Sequence, residues 1–327
     1  MPNDDPKETF VDIDYLLFLQ NLRDASGTFL PDFFSAVSKL AVSTLPILLI
    51  CFVYWALDRQ AGKRIIGGFS LGLFMNGLLK LIFCVYRPWI RDARIEPYGD
   101  AKVAATGYSF PSGHSTWATG CYGGIGVWLH RQGRRVIGAL FCAFVALVMF
   151  SRNFLGVHTP QDVLVGFGAT ALSMLAVSKI EDWTDKNPKR DLYVIIAGLV
   201  ICVAAGVFYF VKPYPLDYKA DGTLLVDPMK MASDSFEGIG MLGGYVVARF
   251  IERRGFAFDR ELTTRDRTLC ALVALVPLAL ITLYAVSALT ALVGAAAAKG
   301  ITMAAIALYA MVVVPAAMSL VAKFQKR

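Results

Sequence analysis

Two histidines, three basic residues and one carboxylate fall in three short segments, and their types and spacing suit the handling of a phosphate group. The first segment is Lys80-Leu-Ile-Phe-Cys-Val-Tyr-Arg87-Pro88. Its two cations are seven residues apart, about two helical turns, so they are expected on one face of one helix that Pro88 stops. A lysine snorkelling to a membrane surface is the plain reading of Lys80, but snorkelling does not account for a second cation on the same stripe. The second segment, Pro111-Ser112-Gly113-His114, precedes an apolar run. Ser112 reads as an N-cap, and the same geometry exposes free backbone N–H groups at a helix N-terminus, a ready anion site that a small Ser-Gly pair lets a phosphate approach closely. The third segment runs from Ser151-Arg152 to His158-Thr159-Pro160-Gln161-Asp162. Pro160 suits a first helical turn, and Asp162 can close a capping box with Thr159. Asp162 also lies one turn from His158, near enough to accept a proton from the imidazole, as in an activated nucleophile or base.

Phosphoryl transfer is mostly positioning and charge stabilisation, and three cations can replace the metal that other phosphatases use. The sequence has no Asp/Glu cluster suited to magnesium or a binuclear centre, so no cofactor and no metal ligand is expected. Two histidines titrating near neutrality can divide the nucleophilic and acid–base roles. The third histidine, His130, falls in a loop on the other side and is expected to be incidental.

The pattern Lys-x6-Arg-Pro, Pro-Ser-Gly-His, Ser-Arg-x5-His-x3-Asp resembles the three-part signature of the type-2 phosphatidic acid phosphatase and vanadium haloperoxidase superfamily, in its integral membrane lipid phosphatase branch. Every signature position is present, within residues 80–162, about a quarter of the chain. The resemblance implies that Lys80, Arg87 and Arg152 bind phosphate oxygens, helped by Ser112 and the backbone at Gly113. It implies that His158, oriented by Asp162, attacks phosphorus and forms a phosphohistidine. His114 would then protonate the leaving group and afterwards deprotonate the attacking water.

The elements that must hold these residues are membrane helices. Of 327 residues, 56% are hydrophobic and 17% charged, against about 25% charged in an ordinary soluble domain. Mean hydropathy is +0.55. A bilayer core needs roughly 20 mostly apolar residues per helix. Stretches 34–57, 65–86, 192–211, 269–293 and 301–322 meet that length, and 115–129, 136–151, 160–180 and 235–251 are shorter or more polar. The expected fold is therefore an all-α polytopic bundle of about nine spans. Residues 10–23 suggest a short amphipathic helix in the interface. The N-terminus, acidic and without a short apolar core, does not read as a secretory signal.

With nine spans the connecting loops alternate sides, and Lys and Arg should favour the cytoplasm. Loops 57–64, 130–135, 179–191 and 249–268 with the tail 323–327 hold 19 basic residues, and the opposite set holds 11. All three chemical segments fall on the second, external side, which points to a plasma membrane protein with an outward or lumenal site. The net charge of +7 is thereby topology and not a nucleic-acid footprint.

One membrane domain is the simplest partition: an interfacial segment over 1–33, a catalytic core over 34–180 and C-terminal helices over 181–327. The six cysteines all fall in expected spans and read as small hydrophobes. Glycines at 120, 123, 124 and 126, and at 238, 240, 243 and 244, read as close helix packing. A site that opens beside apolar spans favours a phosphorylated lipid as partner, within the bilayer: a polyprenyl diphosphate, a phosphatidate, phosphatidylglycerol phosphate or a sphingoid phosphate. The span count and N-terminal side also resemble the glucose-6-phosphatase branch, which leaves a sugar phosphate open, and transfer between lipids is a further alternative. A transporter with an anion site is the non-enzymatic one. Two features speak against it: the sequence has no broken-helix repeat pair, and binding alone does not require a His158–Asp162 pair.

Overall fold

The apolar runs become helices, and proline, threonine and aspartate mark where several begin. The structure, a computed structural model, describes residues 11–105, 107–255 and 262–325. In chain order the helices are α1 (Val11–Ala25), α2 (Phe29–Ala41), α3 (Leu45–Leu57), α4 (Arg59–Phe83), and the single turns α5 (Pro88–Arg91) and α6 (Ala101–Ala104). They are followed by α7 (113–131), α8 (Arg135–Phe154), α9 (Pro160–Asp185), α10 (Asp191–Val211), α11 (Pro228–Gly255), α12 (Thr264–Val293) and α13 (Ala295–Gln325). Asp58 caps α4 by accepting the Ala61 N–H, and Thr159 and Thr263 cap α9 and α12 in the same way. The expected all-α class holds, and no strand occurs among the described residues.

The expected number of spans is not reproduced. Among the described residues, six helical stretches are long and apolar enough to cross a membrane: Arg59–Arg91, Arg135–Phe154, Pro160–Asp185, Pro188–Val211, Thr264–Val293 and Ala295–Gln325. A seventh arises if α2 and α3, bent by 47° at their junction, count as one span. Helices α7 and α11 occupy the other two expected positions, but their polar and small residues leave them short of that hydropathy. Both pack inside the bundle, where glycine and charge meet protein and not lipid.

Helix α4 is the central element, with α9 and α11 packed along it, and α11 packed in turn on α10 and α13. Glycine lets these backbones close. A Cβ at Gly238 would lie 2.7 Å from Phe74 Cα, and one at Gly126 would lie 2.9 Å from Gly138 O. The packing expected of the two glycine clusters is thus present.

One end of the bundle is clamped by buried charge. Lys63 of α4 pairs with Glu181 of α9 at 3.0 Å. Arg249 of α11 pairs with Glu181 and, at 2.9 Å, with Asp191 of α10. Arg253 reaches Asp191 at 2.9 Å and Asp185 at 2.5 Å. Lys63, Arg249 and Arg253, read from sequence as loop charge, are therefore paired side chains within helices. From Lys63 to Lys80 the axis of α4 rises about 26 Å, so the chemical segments lie at the opposite end.

Candidate active site

Where α4 ends decides how its cations are presented. The helix stops at Phe83, and Cys84 takes the left-handed region at φ 50, so this cysteine lies just beyond the helix. Lys212, from the far side of α10, donates to the open carbonyls of Leu81 and Ile82 and closes that end. Arg87 is extended, at φ −65 and ψ 153, and Pro88 opens α5 instead of ending α4. The expectation that Lys80 and Arg87 share a helical stripe is therefore corrected. A residue before proline is steered out of the α region, and the Ser109 N–H bonds Val85 O at 2.7 Å, holding 84–87 as a separate extended arm.

The arm nevertheless delivers Arg87 to the same place. Lys80, Arg87, Gly113, His114, Arg152 and His158 line one cavity of 360 Å³. Lys80 Nζ donates to Tyr108 O at 3.0 Å and Pro111 O at 2.9 Å, tying α4 to the loop before α7. Arg87 Nε donates to Gly107 O at 3.1 Å and Nη1 to Val157 O at 2.9 Å. Arg152 donates to the Ser38 hydroxyl on α2, and its buried Nε has no hydrogen-bond partner among the described residues. These guanidinium and ammonium groups converge on one anion-sized volume.

His158 sits between a cation and a carboxylate. Arg87 Nη1 lies 2.8 Å from His158 Nε2, and Asp162 Oδ2 lies 3.2 Å from His158 Nδ1. Arginine only donates and an ionised carboxylate only accepts, so Nε2 carries the lone pair and Nδ1 the proton. Asp162 Oδ2 also accepts the Thr159 N–H at 2.8 Å and the Ser109 hydroxyl at 2.5 Å. The capping reading of Asp162 and the histidine-orienting reading are both realised, through one oxygen. Asn153 Nδ2 holds His158 from behind through its carbonyl at 2.8 Å.

Ser112 and His114 differ in how they face the cavity. Ser112 is fully buried, its hydroxyl accepting the Ser115 N–H at 3.4 Å, so the side chain serves the helix start and leaves Gly113 in the cavity wall. His114 makes no hydrogen bond to any described residue and faces the cavity. Burial, then the charge of Arg152, holds its imidazole well below the usual range. Burial and Arg87 likewise lower His158, against the opposing pull of Asp162. Both rings are therefore neutral near pH 7 in the unliganded protein.

Three residues that reading the sequence did not single out complete this geometry. Ser109 bonds the carboxylate, Ser38 holds Arg152, and Asn76 donates to Pro111 O at 3.3 Å and Thr116 Oγ1 at 3.1 Å behind the anion loop. Asn76 carries a legible signal, since it is a polar side chain one turn before Lys80 in an apolar helix. Ser109 and Ser38 carry none.

The stretch that holds all eight expected positions is also the stretch with a known family. Residues 63–186 match the PAP2 superfamily over α4 to the end of α9. Over this stretch the chain is similar to that superfamily. The chain is 30% identical over 118 residues to phosphatidylglycerophosphatase B of Bacillus subtilis (strain 168), which covers 34% of this chain and 57% of that protein. The chain thus spans little more than half the length of this curated relative. No solved structure matches. The matched stretch supplies Lys80, Arg87, Gly113, His114, Arg152 and His158 to the cavity, whereas Asp234, Glu237 and Lys299, which line the same cavity, come from helices beyond it.

Proposed function

We propose that the protein is a membrane phosphatase that hydrolyses a lipid phosphate or diphosphate at the external membrane surface through a phosphohistidine, without a metal ion. The observation that carries this reading is the tautomer of His158: its Nε2 lone pair faces the cavity beside Arg87, while Nδ1–H is directed at Asp162. A binding protein needs no such pair. The name of the Bacillus subtilis relative is that of a phosphatase of a phosphorylated lipid, which supports the substrate class.

In the proposed reaction a phosphate displaces Arg87 Nη1 from His158 and takes its oxygens to Lys80, Arg87, Arg152 and the Gly113 N–H. The Ser112 hydroxyl, already capping α7, contributes by holding that N–H in place. Nε2 attacks phosphorus, the P–O ester bond breaks, and the departing oxygen takes a proton from His114. Asp162 stabilises the positive charge that grows on the His158 ring. Water then attacks the phosphorus, His114 takes its proton, and the P–N bond breaks to release phosphate. His114 is neutral in the free protein, and the incoming phosphate anion raises its proton affinity so that it can act as the acid. Three cations cover the charge spread over the transferring oxygens. The outward orientation rests on the distribution of loop charge.

The decisive test is phosphate release from a panel of phosphorylated lipids by purified protein in EDTA. Activity should survive chelation, be inhibited by vanadate, and pass through an acid-labile phosphoprotein that His158→Ala does not form. Activity abolished by EDTA and restored by magnesium would overturn the metal-free route. Lipid binding without phosphate release would overturn the enzyme.

A further inference from the structure

The cavity that holds the cations is lined by two carboxyl groups and a further ammonium as well. Asp234 and Glu237 stand one turn apart near the start of α11, and Lys299 stands near the start of α13. Close backbone approach brings them there. Gly238 sits against Phe74 and Leu73 of α4, turning this face of α11 toward the Lys80 stripe. Gly240 sits against Gly300, which sets Lys299 beside Asp234 in an ion pair. Glu237 makes no hydrogen bond or ion pair with any described residue, although it lines the same cavity as His114 and His158. Lys299 is paired with Asp234, so Glu237 is the carboxyl group of this lining left without a described partner.

An ionised carboxylate is only an acceptor. At a membrane-embedded depth an unpaired one is costly, and such groups are retained where a ligand completes them. A second phosphate placed against this lining would be repelled, whereas a hydroxyl or an ammonium group would be held. The cavity of 360 Å³ falls within the roughly 300–1,000 Å³ common for small-molecule sites, so a phosphate and the first carbons of its ester fit together.

We propose that Asp234 and Glu237 form a headgroup subsite for a hydrogen-bond donor, hydroxyl or ammonium, carried on the carbon next to the phosphate ester, with Lys299 as the residue that positions Asp234. The subsite rests on the phosphatase reading for its phosphate end and narrows the lipid classes that reading leaves open. It lies outside the PAP2 match, so the C-terminal helices, and not the matched stretch, set the preference.

Three matched amphiphiles test it: dodecyl phosphate, 2-hydroxydodecyl phosphate and 2-aminododecyl phosphate. Relative kcat/KM for phosphate release should favour the hydroxyl or amino compound over the plain one by about ten-fold or more, the size of one good hydrogen bond to a charged group. The compound that leads identifies the donor. In Glu237→Gln and in Asp234→Asn the ratio to dodecyl phosphate should fall toward one, and most for the amino compound. Glu237→Asp should restore part of it. Equal kcat/KM on all three in the wild type, or ratios untouched by both variants, would overturn the subsite and leave the phosphatase reading intact. If none of the three is hydrolysed, the phosphatase reading fails. Calorimetric binding of the same three compounds then decides the subsite: the same preference upholds it and equal affinities overturn it.

Discussion

Asp162 Oδ2 closes the capping box of α9 by accepting the Thr159 N–H at 2.8 Å, and the same atom lies 3.2 Å from His158 Nδ1. The start of the helix and the aim of the histidine are thus set by one oxygen. Five residues, His158 to Asp162, carry both functions within about one turn. Ser109, from the loop before α7, reaches the same oxygen at 2.5 Å and joins two of the three chemical segments directly.

Asp162→Asn should keep α9 but offer an amide where His158 needs an acceptor. Phosphoprotein formation is expected to slow by roughly 10²–10⁴-fold, the range for losing a well-placed acid–base partner. Ser109→Ala removes one hydrogen bond to the carboxylate and should slow the same step by about ten-fold. Rapid-quench labelling measures both, and an Asp162→Asn rate within about two-fold of wild type would end the orienting role.

The lowered proton affinities of His114 and His158 have a definite sign in stability. Both are driven below the usual value near 6.5, chiefly by burial, so below about pH 6.5 the unfolded chain binds more protons than the folded one. Their contribution is complete above that pH and is lost as pH falls toward the folded values. Tm in detergent should therefore drop between pH 7.5 and 5, and drop less steeply in His158→Gln. A parallel fall in the two proteins would show that His158 is not desolvated.

Glu181 is fully buried between Lys63 and Arg249. Glu181→Gln leaves two cations without their counter-charge, and breaking one partner of a buried pair costs about 3–5 kcal/mol. A marked fall in Tm is expected, with partial recovery when Lys63→Met and Arg249→Met are added. An unchanged Tm in Glu181→Gln would show that this end of the bundle is hydrated and not a dry clamp.

Sidedness is checked with single cysteines in a background lacking the native six. Lys102→Cys and Gln132→Cys both lie at exposed positions at opposite ends of the bundle. An impermeant maleimide should label the first in intact cells and the second only after permeabilisation. The reverse pattern would move the site to the cytoplasm and exclude substrates confined to the outer leaflet.

The sequence by itself determined what depends on neighbours along the chain. The all-α class follows from apolar runs of helical length, and the Thr159–Asp162 cap and the His158–Asp162 pair follow from spacings of three and four residues on one helix start. The glycine clusters state that backbones must meet, because a Cβ at Gly238 would lie only 2.7 Å from Phe74 Cα. Tertiary structure decided what depends on residues far apart in sequence. Helical spacing put Arg87 on the stripe of Lys80, yet the bond from Ser109 to Val85 pulls it into an extended arm that reaches His158 by another path. Nine spans were expected, α7 and α11 among them, but these two are shielded by other helices and fall short of the hydropathy of a lipid-facing span. Asp234 and Lys299 lie just outside expected spans and Glu237 inside one, and nothing along the chain marks the three as a group. They become a cavity wall only when α11 and α13 pack against α4, because the field at a phosphate is summed over space and not over sequence.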